Sequence, residues 1–366
     1  MSGFLNIHAT EGSAAHSSGS RLLIITQKVD ETDDLLGFFV SWIREFATHQ
    51  DQVTVITLGK GSYSLPSNVR ILSLGKEVGT SKIKQALRLF QFLWREVRVH
   101  DAVFAHMSPI FAIAAAPFTK LWHKKLILWY LHRSRTIRLR LAEKLVDTIV
   151  TADKQSLTLQ SHKIVEVGHG IDVERFSFPE RLPPVGRPIR ILSVGRLSPI
   201  KGFETLIRAA QLIRGRDISY EIRIVGAPVM RGDTQYAQNL NSLARELKVD
   251  DMVHMVGFVP YTEMPAQYRW ADIIVGCTPS GGIDKVILEG MASGCAMVTS
   301  NAVMKKYLTQ EHASEYIFRH GDFKNLARTL EQLVLQDFSR IGEEMRRIVV
   351  HDHNLSTAVH RILPLL

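Results

Sequence analysis

The chain has 366 residues, 45% hydrophobic and 22% charged, with 24 glycines and 13 prolines; this excludes collagenous, low-complexity and wholly disordered chains and suits two domains of ordinary size. The formal net charge of +9 is unevenly spread: from Gln52 to Lys144 there are 16 lysines and arginines against 4 acids, an excess of +12, so the rest of the chain sums to −3. A segment this basic suits nucleic acid, anionic lipid or a phosphorylated substrate, and composition alone does not choose among them.

In chain order, residues 1–20 lack the basic start and apolar core of a signal peptide and read as a flexible cytoplasmic leader. From residue 21 onward, short apolar β-branched runs alternate with amphipathic helical patterns, which is how α/β layering with parallel sheets appears in sequence. Strands are predicted at Arg21 to Thr26, Val53 to Leu58, Val69 to Leu74, Ala102 to His106, Lys125 to Leu131, Thr148 to Thr151 and Ile164 to Val167. A helix near Leu35 to Thr48 sets Leu36, Phe39, Ile43 and Phe46 at helical spacing, its start capped by Asp33 or Asp34. A second, near Lys82 to Val99, does the same with Ile83, Leu87, Phe90, Trp94 and Val97. Its Lys82, Lys84, Arg88, Arg95 and Arg98 suit an anionic membrane surface, or equally a solvated basic face over a packed core. The apolar run Met107 to Phe118 falls short of the roughly 18–20 residues of a membrane span, so none is expected.

Residues 176–188 contain Pro179, Pro183, Pro184, Gly186 and Pro188, a composition that cannot hold a regular element, and are read as a linker between a domain at 21–175 and one at 189–350. Beyond it the alternation restarts: strand Ile189 to Val194, helix Lys201 to about Ile213, strand Tyr220 to Val225, helix Gln235 to Leu247, strand Val253 to Phe258, strand Ile273 to Cys277, helix Asp284 to Ala292 and strand Ala296 to Ser300. His351-Asp352-His353 reads as a polar stretch, and residues 351–366 as a terminal helix packing back toward the first domain. Cys277 and Cys295, the only cysteines, read as buried reduced thiols.

Two segments could carry chemistry. Val194-Gly195-Arg196-Leu197-Ser198-Pro199-Ile200-Lys201-Gly202 is a strand running through a short loop into a helix, where Arg196 and Lys201 would flank an anion at free backbone amides. A solvated turn with two surface cations is the plainer alternative. Thr278-Pro279-Ser280-Gly281-Gly282-Ile283 leads into a helix beginning Asp284-Lys285, and its glycines let backbone approach a diphosphate closely. On that helix Glu289 could accept two hydrogen bonds from a ribose diol, or form an i,i+4 pair with Lys285.

These segments, followed in order by EIRIVG, VHMVGFV, ADIIVGCTPS and VILEGMASG and preceded by KVDETDDLLGFF, LILWYLH and VGHGIDVERF, resemble family 4 glycosyltransferases across nearly the whole chain after residue 20. The resemblance implies the GT-B fold, two Rossmann-like α/β/α domains facing each other across a cleft. It implies a retaining transfer of a sugar from a nucleotide-diphosphate sugar to a glycan or lipid-linked acceptor, with no metal and no other cofactor. The leaving phosphate would itself help deprotonate the acceptor, the setting being polysaccharide or glycolipid synthesis at the cytoplasmic face of a membrane. By the same resemblance Arg196, Lys201 and His132 would be catalytic, and Gly195, Gly281, Gly282, Ile283, Asp284, Lys285 and Glu289 would bind the donor. Two departures stand out. The first glutamate of the family's Glu-x7-Glu motif is Gly281 here, which puts sugar choice in doubt and makes an inactive nucleotide- or sugar-binding protein the alternative. The glycine loop after the first strand is replaced by Lys28-Val29-Asp30-Glu31-Thr32-Asp33-Asp34. No G-x-G-x-x-G follows the first strand, and no P-loop, H-E-x-x-H, G-x-S-x-G or nucleic-acid-binding module is present.

Overall fold

The computed structural model describes residues 20–33, 35–133, 136–176, 186–216, 218–229, 231–279 and 281–366. Asp34, Ser280, residues 1–19 and the linker prolines Pro179, Pro183 and Pro184 lie outside the described residues.

The first domain is a seven-stranded sheet of β1 (Arg21–Val29), β2 (Gln52–Lys60), β3 (Val69–Ser73), β4 (Ala102–His106), β5 (Lys125–Trp129), β6 (Thr148–Thr151) and β7 (Ile164–Glu166), ordered β3-β2-β1-β4-β5-β6-β7. Every pairing is parallel; Leu22 lies opposite Val53 on one side and Ala102 on the other. Successive side chains alternate between faces, so β1 serves two cores. Leu22 and Ile24 pack with α1 (Phe39–Thr48). Leu23 and Ile25 pack with α2 (Lys82–Glu96), α3 (Pro109–Leu121) and α4 (Ile137–Leu145). Helix α1 begins later than its spacing predicts, because Asp33 Oδ1 accepts from the N–H groups of Leu35 (3.0 Å) and Leu36 (2.9 Å) and so caps a preceding turn.

The second domain orders its parallel strands β8 (Ile189–Val194), β9 (Tyr220–Val225), β10 (Val253–Gly257), β11 (Ile273–Gly276) and β12 (Ala296–Thr299) as β10-β9-β8-β11-β12. Helices α5 (Phe203–Ile213), α6 (Arg231–Glu246), α7 (Met264–Trp270), α8 (Lys285–Ala292), α9 (Gln310–Tyr316), α10 (Phe323–Leu333) and α11 (Phe338–Asp352) complete it. Ile171, Val173 and Phe176, upstream of the proline-rich stretch, already belong to its core. The last helix, α12 (Leu355–Ile362), returns to the first domain, where Leu355, Ala358, Val359 and Ile362 share a core with Trp42 and Ile24. Both cysteines are buried thiols, and Cys295 Sγ lies 3.4 Å from Tyr268 O. Among the described residues no helix is long and apolar enough to cross a membrane.

Helix α2 corrects one reading. The side it packs carries Leu89 and Leu93, continued by Val97, whereas Ile83 (75% exposed), Leu87 (65%), Phe90 (50%) and Trp94 (56%) face solvent.

The chain crosses between domains twice, and the crossings are bonded together. Ile171 N–H donates to His353 O (2.7 Å) and Leu355 N–H to Ile171 O (2.9 Å), while His169 N–H donates to His353 Nδ1 (3.3 Å). Trp42 Nε1 donates to Gly170 O (3.1 Å), and Gly170 sits at φ +63° with no room for a Cβ, which would lie 2.1 Å from the indole. The stretch read as simply polar therefore divides: His351 is exposed and His353 is buried.

Burial holds His169 down to about 3 and His353 down to about 4. Both are neutral in the fold, whereas unfolded histidines take up protons below about pH 6.5, so this contribution is complete above that pH and is lost as pH falls toward the folded values. The unfolding free energy from urea titrations should fall between pH 6.5 and 5, by up to about 1.4 kcal/mol per unit for each buried neutral histidine. His353→Gln should flatten that slope in urea titrations; an unchanged slope would show that the crossing does not sense protons.

Candidate active site

In each sheet the strand order reverses beside the first strand, at β1/β4 and at β8/β11, and ligands of open parallel sheets sit outside the carboxyl ends at such switch points. The two switch points face each other across a cavity of about 350 Å³. The first domain supplies Leu35 and Phe38, which follow β1. The second supplies Gly195 and Arg196 after β8, Lys201, Gly226 after β9, and Asp284, Lys285 and Glu289 from the segment after β11. Gly226 (φ +149°) allows these loops to meet, since a Cβ there would lie 1.9 Å from Gly195 O.

Lys201 is not on a helix as its spacing predicts. It ends a 3₁₀ turn, Pro199–Lys201, and the left-handed Gly202 separates it from α5. Its Nζ lies 2.8 Å from Asp284 Oδ1, and Thr278 Oγ1 donates to Asp284 Oδ2 (2.5 Å). Arg196 Nε lies 3.7 Å from Asp233 Oδ2 in the first turn of α6 and 3.4 Å from Ser198 Oγ. Both cations thus touch acids that sequence reasoning did not pair with them, and a diphosphate entering here meets charges that are already partnered.

Glu289 is buried; Tyr268 Oη donates to its Oε2 (2.7 Å) and Lys285 pairs with its Oε1. The i,i+4 pairing weighed from the sequence is therefore formed, on a residue that also lines the cavity. Lys285 Nζ additionally lies 4.3 Å from the Phe38 ring centroid and 4.7 Å from that of Tyr261, within cation–π range. Burial lowers the Lys285 pKa against the opposing pull of Glu289, and burial with the Glu289 charge raises Tyr268 well above its ordinary value. Tyr261 and Tyr268 left no motif in the sequence, although Glu289, a lone acid in an otherwise apolar helix, signalled that partners were needed.

The structure does not bring every predicted residue to this cavity. Gly281 borders a second, more polar one of about 710 Å³ with Arg133, Lys154, Gln155 and Ser161. A Cβ on Gly281 would meet only Arg133 Cδ (3.6 Å), Arg133 Nη1 (3.8 Å) and Pro279 O (3.9 Å), all ordinary contacts, and its φ lies outside the glycine-favouring region. Gly282 O accepts from Asn301 Nδ2 (2.8 Å), Ile283 is buried, and His132 is exposed with its ring 5.6 Å from that of Tyr130, lining neither cavity.

Residues 174–349 match the family described as "Glycosyl transferases group 1". WcaL of Escherichia coli (strain K12), which carries an assignment as a colanic acid biosynthesis glycosyltransferase, is 26% identical over 221 residues, 58% of this chain and 53% of that protein. The amylovoran biosynthesis glycosyltransferase AmsK of Erwinia amylovora is 28% identical over 193 residues, 48% of this chain and 45% of that one. The match spans about half the length of these relatives. A crystal structure of Anabaena Alr3699/HepE in complex with UDP superimposes with a TM-score of 0.73 at 15% identity, covering 94% of this chain and 98% of that one. At that identity the likeness shows the fold, which is GT-B.

Removing one partner of a buried ion pair leaves the other charge uncompensated, at a cost of about 3–5 kcal/mol. Lys285→Ala should therefore lower stability in chemical denaturation by that order and more than Glu289→Gln, which keeps an acceptor for Tyr268. Equal small losses would mean that the pair contributes nothing to the fold.

Proposed function

We propose that this chain, whose residues 174–349 match glycosyl transferases group 1, is a retaining glycosyltransferase that moves a sugar from a nucleotide-diphosphate sugar to a glycan or lipid-linked acceptor in cell-surface polysaccharide or glycolipid synthesis. The observation that carries this reading is the cavity between facing switch points, with Arg196 and Lys201 at one end of β8 and Glu289 opposite. In it the diphosphate displaces Asp233 and Asp284 from the two cations, Glu289 receives the ribose hydroxyls, and the apolar wall of Val229, Phe258 and Val259 receives the base. Arg196 and Lys201 stabilise the charge that grows on the leaving phosphate, the work that other transferases give to a metal. The UDP held by the Anabaena protein, also captured with UDP and glucose, supports a uridine donor. The second cavity, beside Gly281 and on the first domain's side of the cleft, takes the acceptor. The second reading, an inactive binding protein, rests on Gly281 alone; sugar release from a panel of nucleotide sugars, with membrane extract as acceptor, separates the two.

The acceptor reading includes docking on the cytoplasmic face of an anionic membrane through α2. The outward stripe Ile83, Leu87, Phe90 and Trp94 continues onto α3, where Trp94 and Trp122 rings lie 5.1 Å apart and Leu121 is exposed. The only acid on α2 is Glu96, which is buried and paired with Arg70, so every charge α2 offers to solvent is positive. An apolar stripe flanked by lysine and arginine is the pattern of a helix lying in a bilayer interface.

Arg196→Ala and Lys201→Ala should each weaken UDP far more than uridine in calorimetry; equal losses for both ligands would remove the diphosphate assignment. In flotation assays the protein should bind phosphatidylglycerol vesicles, less so as salt rises, since exposed charges act within about 8 Å at physiological ionic strength. Reversing Lys84, Arg88 and Arg95 to Glu should abolish binding, and Phe90→Ser with Trp94→Ser should weaken it at constant charge. Equal binding to neutral vesicles would sink the anionic-surface reading.

A further inference from the structure

Far from the cleft, a cluster that the transfer reaction does not use joins the first helix of the chain to the last. Glu45 and His49 stand one turn apart at the C-terminal end of α1, and His360 lies on α12. Each offers one ligand atom, and these atoms all lie within 4.8 Å of one another. The separation of His49 Nε2 from Glu45 Oε1, 3.5 Å, is close to the edge of about 3.4 Å in a tetrahedron with arms of about 2.1 Å. The His49 and His360 ring centroids are 4.6 Å apart at 74°, a contact that two protonated rings would oppose and a shared cation would favour. His360 Nδ1 lies 2.8 Å from Ser356 O. A carbonyl only accepts, so Nδ1 is the donor and Nε2 is the nitrogen that a neutral ring offers to a metal, the outer hydrogen bond being the kind that orients a metal-binding imidazole.

We propose that Glu45, His49 and His360 bind one divalent cation of the zinc class and thereby staple α12 to α1. Two imidazoles with one carboxylate suit a borderline ion such as Zn²⁺, whereas Mg²⁺ and Ca²⁺ take oxygen ligands. Three protein ligands leave the fourth position to water. The site lies at the end of α1 opposite Phe38, which lines the nucleotide cavity. About ten residues at a rise of 1.5 Å separate the two ends, so the ion would be roughly 15 Å from that cavity and structural in its role. It would act on the return of the chain: α12 reaches the first domain only after the second has been built, and the ion would fasten it there.

The test uses the full chain without a purification tag, stripped of metal. Zn²⁺ titrated calorimetrically should bind with one equivalent at micromolar affinity, raise the melting temperature, and withstand millimolar Mg²⁺. His49→Ala and His360→Ala should each weaken Zn²⁺ at least tenfold and remove the thermal gain. UDP binding by both variants, measured in parallel, should stay at the wild-type level and shows that they are folded. Absence of stoichiometric Zn²⁺ binding, displacement by Mg²⁺, or Zn²⁺ affinity unchanged in the His49→Ala/His360→Ala double variant would each overturn the proposal.

Discussion

Two parallel sheets can turn their open strand ends toward each other only if the chain passes between them, and here it passes twice through one knot of backbone. The N–H and C=O groups of Ile171 bond to the strand-like turn at His353 and Leu355, so the outgoing and returning segments hold each other in register. The price is steric. Gly168 (φ +86°) has Asp352 O where a Cβ would stand, 2.3 Å away, and Gly170 has the Trp42 indole. These contacts fix the first domain's α1 against the crossing, and α1 in turn starts beside Phe38, which meets Lys285 of the second domain. The geometry of the cleft thus depends on a few buried amides and two positions without side chains.

A second set of contacts spans the cleft on its other side. Lys306 Nζ lies 2.9 Å from Asp153 Oδ2 and also pairs with Glu166, and Tyr307 Oη donates to Asp153 Oδ2 (3.0 Å). Asp153 is buried, and the cation and hydroxyl facing it keep its pKa low despite the burial that opposes them. Because a buried carboxylate without partners would be costly, separating the domains here requires water to replace both. The cleft is held by a charged clamp on the β6–β7 side and by backbone at the crossing, with the cavity lined by Arg196, Lys201 and Glu289 between them.

The strands were legible because each is a short β-branched run, and the order of motifs carried the fold. What the sequence left open follows from what a one-dimensional pattern omits. Helix α2 has two apolar stripes, Leu89–Leu93 and Ile83–Leu87–Phe90–Trp94; the spacing picks out the second, whereas the sheet covers the first. The spacing places the start of α5 two residues early, at Lys201, because it does not register that the left-handed Gly202 interrupts the helix. Arg196 and Lys201 were singled out as cations near a strand end, but Asp233 and Asp284 could not be matched to them, lying 37 and 83 residues away. Met107 to Phe118 stands out in the sequence for its apolarity, but Pro109, at the first position of α3, marks where the helix starts.

Gly281 shows how position within a loop can separate two roles that sequence joins. Residues 281 to 285 are contiguous, yet Gly281 borders the cavity with Arg133, and Asp284 and Lys285 border the one with Arg196. Three residues of extended chain span at most about 11 Å, so the two cavities lie on either side of one short turn. A carboxylate at position 281 would extend toward Arg133, an arginine contributed by the opposite domain, and would pair with it. With glycine there, the loop puts no side chain into that cavity at 281, and the polar side chains that line it, Arg133, Lys154, Gln155 and Ser161 among them, come from the first domain.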